Sequence, residues 1–380
     1  MPPILRPVRV LVAEDSARLR TRMIDALSAD PGIEVIGQAA DGRSAIERCL
    51  ELRPDVVTMD VILPVITALA VTEQLMQRCP TPILIISTAT DPGELVDTFA
   101  ALAAGAVDVL EKPRAGGKDD VDWNRRLVST VKLVARIQVI THLGKGAGRA
   151  AEPAEPAELP VASMPPPRSA PRSHRSHVAP AHQRESGAFS VVGIGASTGG
   201  PAAVATVLSA LPKSFLLPVL LVLHVSDHFG PAIASWLNDV TGRRVRLAES
   251  GEPVSALGGQ VIMAPPGQHL AVRGGVLRLN QDPERHSCRP SVDVLFESLA
   301  YEFGPRVVAC LLTGMGKDGA AGLLDVHRSG GLTIAQDEIS SVVFGMPGEA
   351  VRLGAAQHVL PVDQIGPTLG RLATAEVGSR

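Results

Sequence analysis

The chain has 380 residues, a formal net charge of −3, and 45% hydrophobic but only 3% aromatic residues. That length predicts two or three domains, with aliphatic cores of the kind found in buried parallel sheets under helices. The near-neutral charge gives no reason to expect nucleic acid as a partner. With no leader-like segment and no apolar run of the ~18–20 residues a span needs, a soluble cytoplasmic protein without membrane insertion is expected.

Strands are predicted at Val8–Ala13, Glu34–Ala39, Asp55–Met59, Pro82–Ile86 and Ala106–Leu110, with helices between them and a last one around Val121–Ile137. Five βα units in the first 142 residues imply a doubly wound parallel sheet. Residues 143–188 form the next segment, and from Ala151 to Gly187 they are proline-rich, with no aromatic residue and no Ile. This composition cannot build a core and reads as an extended, disordered tether. Alternation resumes over residues 189–376, with strands at Ser190–Ile194, Val219–Leu223, Val261–Ala264, Val307–Leu312, Leu332–Ala335 and His358–Leu360. Gly274-Gly275, between Leu270–Val272 and Val276–Leu279, marks a β-hairpin. The fold class is α/β, with two doubly wound parallel-sheet domains joined by a Pro-rich linker. Cys49, Cys79, Cys288 and Cys310 form no C-x-x-C pair, so neither a disulfide framework nor a zinc site is expected.

In the first domain, polar residues follow four strands: Glu14-Asp15, Asp60, Ser87 and Lys112-Pro113. The C-terminal ends of parallel strands share one edge, where ligands bind. Carboxylates gathered there repel one another unless a cation lies among them, and an all-oxygen set suits Mg²⁺. The order acid pair, Asp, hydroxyl, Lys-Pro resembles the receiver domain of two-component response regulators, a flavodoxin-like fold. The resemblance implies phosphorylation of Asp60 by a histidine kinase, and Mg²⁺ held by Asp15, Asp60 and the Ile62 carbonyl with help from Glu14. It also implies phosphate sensing by Ser87 and Lys112, with a cis Lys112–Pro113 bond. The chain departs from the family pattern at Glu14, at Pro64-Val65-Ile66-Thr67-Ala68 and at Val109, where Asp, P-x-M-D-G and an aromatic residue are usual.

In the second domain, Gly195-Ala196-Ser197-Thr198-Gly199 joins a strand to a helix beginning near Gly199-Gly200-Pro201. A Ser in such a turn has the shape of a nucleophile elbow, with glycines that admit a substrate and a helix N-terminus behind it. His224 ends the next strand, with His228 as its rival. Asp318 lies in the glycine-rich loop after Val307–Leu312. The order Ser, His, Asp differs from that of α/β-hydrolases, where the acid precedes the His. Backbone N–H groups near Thr198 and Met315 are expected to hold an oxyanion.

The words Ile194-Gly195-Ala196-Ser197-Thr198-Gly199-Gly200, Arg289-Pro290-Ser291-Val292-Asp293, Leu312-Thr313-Gly314-Met315-Gly316-Lys317-Asp318-Gly319 and Val343-Phe344-Gly345-Met346-Pro347 resemble chemotaxis methylesterases of the CheB type. That resemblance implies a Rossmann-like domain with Ser197 as nucleophile, His224 as base and Asp318 as acid. Thr198, Met315 and Arg289 would line the site, and the hydrolysis would need no cofactor. The implied substrates are glutamate γ-methyl esters on methylated chemoreceptors, with deamidation of receptor Gln by the same machinery. The unphosphorylated receiver is expected to cover the Ser197 cleft. A competing reading is a degenerate receiver on a non-catalytic or differently targeted signalling scaffold. The nearly balanced charge of residues 189–376 and the lack of a basic helix-turn-helix argue against DNA binding.

Overall fold

The structure is a computed structural model that describes residues 6–88, 92–113, 120–137, 189–225 and 229–374. The proline-rich segment and His228 lie outside the described residues.

The first sheet is built from five short segments rich in Val, Ile and Leu. These are β1 (Val8–Ala13), β2 (Ile33–Ala39), β3 (Val56–Asp60), β4 (Ile83–Ser87) and β5 (Asp108–Glu111). They pair in parallel in the order β2-β1-β3-β4-β5. The connecting helices are α1 (Ala17–Ser28), α2 (Gly42–Leu52), α3 (Ala68–Arg78), α4 (Pro92–Ala103) and α5 (Asp120–Val134). Strand side chains alternate between the two faces. Val10, Val12, Val56 and Leu84 pack with Met23, Leu27 and Leu127 of α1 and α5. Leu11, Val57, Met59 and Ile85 pack with Cys49, Val71, Leu75 and Phe99 of α2, α3 and α4. Helix starts carry the expected caps: Ser16, Asp41 and Thr67 accept from Leu19, Ser44 and Ala70 N–H. Thr67 stands where the usual receiver loop has Asp, so the cap on α3 survives that departure. Val65, two residues earlier, sits at φ 71°, a strained position for a β-branched residue.

The second sheet is larger. Its elements are β6 (Val191–Ala196), α6 (Gly200–Ser209), β7 (Val219–Leu223), α7 (Gly230–Thr241), β8 (Val245–Leu247), β9 (Val261–Met263), the hairpin β10 (His269–Arg273) and β11 (Val276–Asn280), α8 (Val292–Phe303), β12 (Val307–Leu311), α9 (Ala320–Arg328), β13 (Leu332–Gln336), α10 (Met346–Arg352), β14 (His358–Leu360) and α11 (Val362–Thr374). Seven strands run parallel in the order β14-β13-β12-β6-β7-β9-β8, and β10-β11 form a separate antiparallel pair. Ile194, Leu221 and Cys310 face α6, α7 and α11, while Val191, Leu220 and Ala309 face α8, α9 and α10. The chain leaves the central strand β6 toward β7 on one side and returns to β12 on the other. The crevice at that reversal lies beyond the ends of β12, β6 and β7.

The two sheets belong to one compact unit. Helix α4 of the first packs against α6 and α7 of the second. Phe99 lies between the rings of Phe229 (centroids 6.2 Å, edge-on) and Trp236 (5.5 Å, tilted). One apolar cluster therefore runs from Leu75 and Leu102 through Phe99 to Val204 and Leu237.

Three sequence expectations need correction. Strand ends shift by one or two residues, because the polar residues that close β3 and β4 remain in the ladder. The short edge strand β8 went unread, since Arg244-Val245-Arg246 offers no apolar run. The cis peptide among the described residues is Arg289–Pro290, not Lys112–Pro113, which keeps the trans form that X–Pro bonds prefer by about 0.5–1 kcal/mol.

Candidate active site

Ser197 follows β6, His224 follows β7 and Asp318 follows β12, so three neighbouring strands deliver the three side chains to one edge. His224 Nε2 lies 3.0 Å from Asp318 Oδ2. Ser197, Thr198, His224, Cys288 and Arg289 line one cavity of about 480 Å³. No hydrogen bond joins Ser197 Oγ to His224. With Nε2 turned to Asp318, the other ring nitrogen, Nδ1, lies 3.7 Å from Cys288 Sγ.

Asp318 is buried and held at the start of α8. The Ser291 hydroxyl donates to its Oδ1 at 2.7 Å, Val292 N–H to its Oδ2 at 2.7 Å and Asp293 N–H to its Oδ1 at 3.2 Å. Burial pushes this carboxyl up, but the bonds from His224, Ser291 and Val292 outweigh it and hold it below the usual range. Burial pulls the His224 imidazole down. The Asp318 carboxylate and the Cys288 sulfur outweigh that pull and carry it to about 9. Ser291, which stands in the Arg289-Pro290-Ser291-Val292-Asp293 word, is the N-cap of α8. Its cap pattern, with Asp293 in the first turn, is the signal that would have shown it orienting a helix start at the acid.

The glycines of the elbow have a different purpose from the one their sequence suggested. A Cβ on Gly195 would lie 2.2 Å from Val292 Cγ1, so this glycine lets α8 lie close against β6. Gly199 adopts φ 74°, the left-handed region, and caps α6. Gly195→Ala is therefore expected to lower stability by about 2–3 kcal/mol through overpacking. A denaturant titration against the parent chain measures this.

Of the expected oxyanion groups, Ser197 N–H is already bonded to Thr313 O at 3.0 Å, whereas Thr198 N–H has no protein acceptor among the described residues. Met315 is 57% exposed and does not line the cavity. Its neighbour Gly314 touches the elbow instead, since a Cβ there would lie 2.8 Å from Ser197 Cβ. Arg289 lines the cavity, and its guanidinium donates to the carbonyls of Gln281 and Asp282 while Nε is buried without a partner.

Residues of the first domain complete the cavity wall: Phe99, Asp108, Val109 and Arg126. Asp108 shares the cavity wall with Thr198, beside Ser197, and accepts from Val109 N–H at 2.8 Å. Burial raises its carboxyl to about 6, against the pull of Val109 N–H and the nearby Thr198. Neither Phe99 nor Asp108 carries a motif, so sequence reading missed both.

At the edge of the first sheet, Glu14, Asp15 and Asp60 bring their carboxylates within 4.8 Å of one another. Lys112 Nζ lies 2.7 Å from Asp60 Oδ1 and 3.8 Å from Glu14 Oε2. Ile62 N–H donates to Asp60 Oδ1 at 3.1 Å. Glu14 Oε2 and Asp60 Oδ2 are buried without a hydrogen-bond partner. Burial and the nearby Asp60 push Glu14 up to about 8, and burial raises Asp60 against the pull of Lys112. Two orphaned carboxylate oxygens within one buried carboxylate cluster fit a divalent cation with oxygen ligands. Ser87 makes no hydrogen bond to Asp60. Its hydroxyl bonds Thr98 Oγ1 at 2.7 Å and Glu94 Oε1 at 3.2 Å, both on α4.

Residues 10–118 match the response regulator receiver domain and residues 192–369 match the CheB methylesterase family. The protein-glutamate methylesterase/protein-glutamine glutaminase 4 of Geobacter metallireducens is 40% identical, covering 96% of this chain and 99% of that one. The corresponding protein 2 of Anaeromyxobacter dehalogenans is 41% identical over 97% of both chains. That of Nitrosospira multiformis is 40% identical over 96% of this chain and 97% of its own. The chain therefore belongs to the CheB methylesterase family, as a response regulator whose receiver domain precedes its hydrolase domain.

Proposed function

We propose that this chain is a phosphorylation-regulated protein-glutamate methylesterase acting on methylated chemoreceptors, with glutamine deamidation as a second activity of the same site. Residues 1–142 are the receiver, 143–188 the tether and 189–376 the hydrolase. The observation that carries this reading is the His224–Asp318 pair sharing one cavity with Ser197, at the ends of three adjacent strands. Ser197 Oγ attacks the γ-ester carbonyl carbon, and its proton passes to His224 Nδ1. The Thr198 N–H, which has no protein acceptor among the described residues, meets the oxyanion, and Arg289 borders the substrate. Methanol departs with the proton from His224. Water then attacks the glutamyl-enzyme by the same route, freeing the carboxylate and restoring Ser197. For glutamine, ammonia takes the place of methanol. Asp318 holds the ring by Nε2, fixing the tautomer that leaves Nδ1 basic.

The receiver supplies the control. A histidine kinase is the phosphodonor, and a carboxylate oxygen of Asp60 takes the phosphoryl group. Glu14, Asp15, Asp60 and the Ile62 carbonyl would hold Mg²⁺, which neutralises charge on the phosphoryl oxygens. Lys112 and the Ser87 hydroxyl bind the oxygens of the new phosphate. Ser87 bonds Thr98, and Thr98 precedes Phe99, so a move of Ser87 toward a phosphate on Asp60 would loosen the helix that borders the cavity. Ser197 is not bonded to His224 in this arrangement, with Phe99 at the cavity wall. Opening the cavity lets that bond form. The absence of any membrane-crossing helix among the described residues fits a cytoplasmic location.

The sign of the pH dependence follows from His224. Only the neutral ring accepts the Ser197 proton, and the pair with Asp318 holds the ring protonated up to about 9. For the unphosphorylated chain, kcat/KM is expected to rise with pH through a midpoint near that value and to fall away below it. A midpoint at the ordinary histidine value, about 6.5, would contradict this pairing. The activity itself is tested by methanol release from methylated receptor.

A further inference from the structure

His224 Nδ1 and Cys288 Sγ face one another across 3.7 Å at the wall of the Ser197 cavity. The Cys288 thiol donates to His286 O at 3.5 Å, and His224 Nε2–H is spent on Asp318. Once the ring and the thiol give up their protons, a lone pair on sulfur and one on nitrogen converge on the same space. A tetrahedral zinc ion bonded at about 2.3 Å to sulfur and about 2.0 Å to nitrogen separates these two ligands by about 3.5 Å, close to the spacing seen here. The outer shell fits as well. A histidine that binds metal through one nitrogen commonly donates its other N–H to a carboxylate, the relation His224 already has with the buried Asp318.

We propose that Cys288 and His224 form a zinc-binding site that inhibits the hydrolase. Zinc displaces the thiol proton and, where the ring is protonated, the Nδ1 proton to solvent and occupies Nδ1, so the base that serves Ser197 is withdrawn. The cavity leaves room for Ser197 Oγ or water as the remaining ligands. The other clusters are less suited to zinc. Glu14, Asp15 and Asp60 offer only hard oxygens. In the cluster of His286, Asp293 and Asp318, the carboxylates already accept from Gly322 N–H, His286, Ser291 and Val292 N–H. Zinc binding stands on geometry alone, whereas inhibition rests on the role proposed for His224, and the test keeps them apart.

The full chain is titrated with zinc chloride against a chromogenic chelator in excess Mg²⁺, which fills the carboxylate site. Cys288→Ser and Cys288→Ala are measured beside it, with melting curves to show that both fold. Losing an orienting partner of a metal ligand alone costs about 10–100-fold in affinity, so losing the sulfur ligand is expected to weaken the tight zinc by roughly a hundredfold or more. Weak binding by His174, His177 and His182 of the tether would persist in both variants. Zinc is also expected to slow methyl-ester hydrolysis by the parent, reversibly with EDTA, and to lose that effect in both variants. Equal zinc affinity in the parent and the two folded variants would overturn the site. Tight binding with undiminished hydrolysis would overturn the inhibition and leave the site standing.

Discussion

Asp318→Asn is expected to lower methyl-ester hydrolysis by about 10⁴-fold, the loss seen when the acid of a Ser-His-Asp triad becomes an amide. The amide keeps the shape of the side chain but changes what His224 meets. Its NH₂ cannot accept the Nε2–H bond, so the ring turns to the tautomer in which Nδ1 is protonated and cannot take the Ser197 proton. The variant should fold, because Asp318 Oδ1 still has the Ser291 hydroxyl and Asp293 N–H as donors if the amide oxygen keeps that place. Some stability will be lost, since the buried carboxylate also accepts from Val292 N–H. Methanol release at saturating substrate, with a melting curve beside it, separates lost chemistry from lost fold. A residual rate within about tenfold of the parent would mean that Asp318 orients a helix and nothing more.

Phe99→Ala should act in the opposite direction and raise the rate of the unphosphorylated chain. Phe99 is almost wholly buried and its ring meets Phe229 and Trp236. Removing a buried Phe side chain costs about 3–5 kcal/mol. Part of that loss falls on the receiver core. If only ~1.4 kcal/mol falls on the contact between the domains, the open population rises about tenfold, and the basal rate with it. Trp236→Ala attacks the same contact from the hydrolase side and should raise the rate likewise. The phosphodonor then has less left to do, so its stimulation shrinks in both variants. If basal rates stay at the parental level in both, this aromatic contact does not restrain the site.

Sequence reading reached far where function demands particular atoms in a particular order. Strand ends, acids, the hydroxyl and Lys112 are visible because apolar runs stop abruptly at polar residues. The three side chains of the hydrolase site are visible for the same reason. Two kinds of feature escaped. Contacts between domains are made by residues such as Phe99 and Trp236, whose apolar character looks like any core position. The purpose of a glycine was also misread, because close packing of Val292 on Gly195 depends on α8, nearly a hundred residues away. The hidden relation of Cys288 to His224 is of this kind too. No spacing in the chain announces it, and the lack of any C-x-x-C pair argued against zinc, whereas the fold places Cys288 beside the ring.

The central claim is that Asp60, through the receiver, governs an ester hydrolysis carried out by Ser197. It is tested most directly by methanol release from methylated receptor, with and without a small phosphodonor, for the parent chain, Ser197→Ala and Asp60→Asn. The account predicts a slow basal rate in the parent that the phosphodonor raises, no release above background from Ser197→Ala in either condition, and a basal rate in Asp60→Asn that the phosphodonor leaves unchanged. Methanol release from Ser197→Ala at the parental rate, or full stimulation of Asp60→Asn, would contradict it.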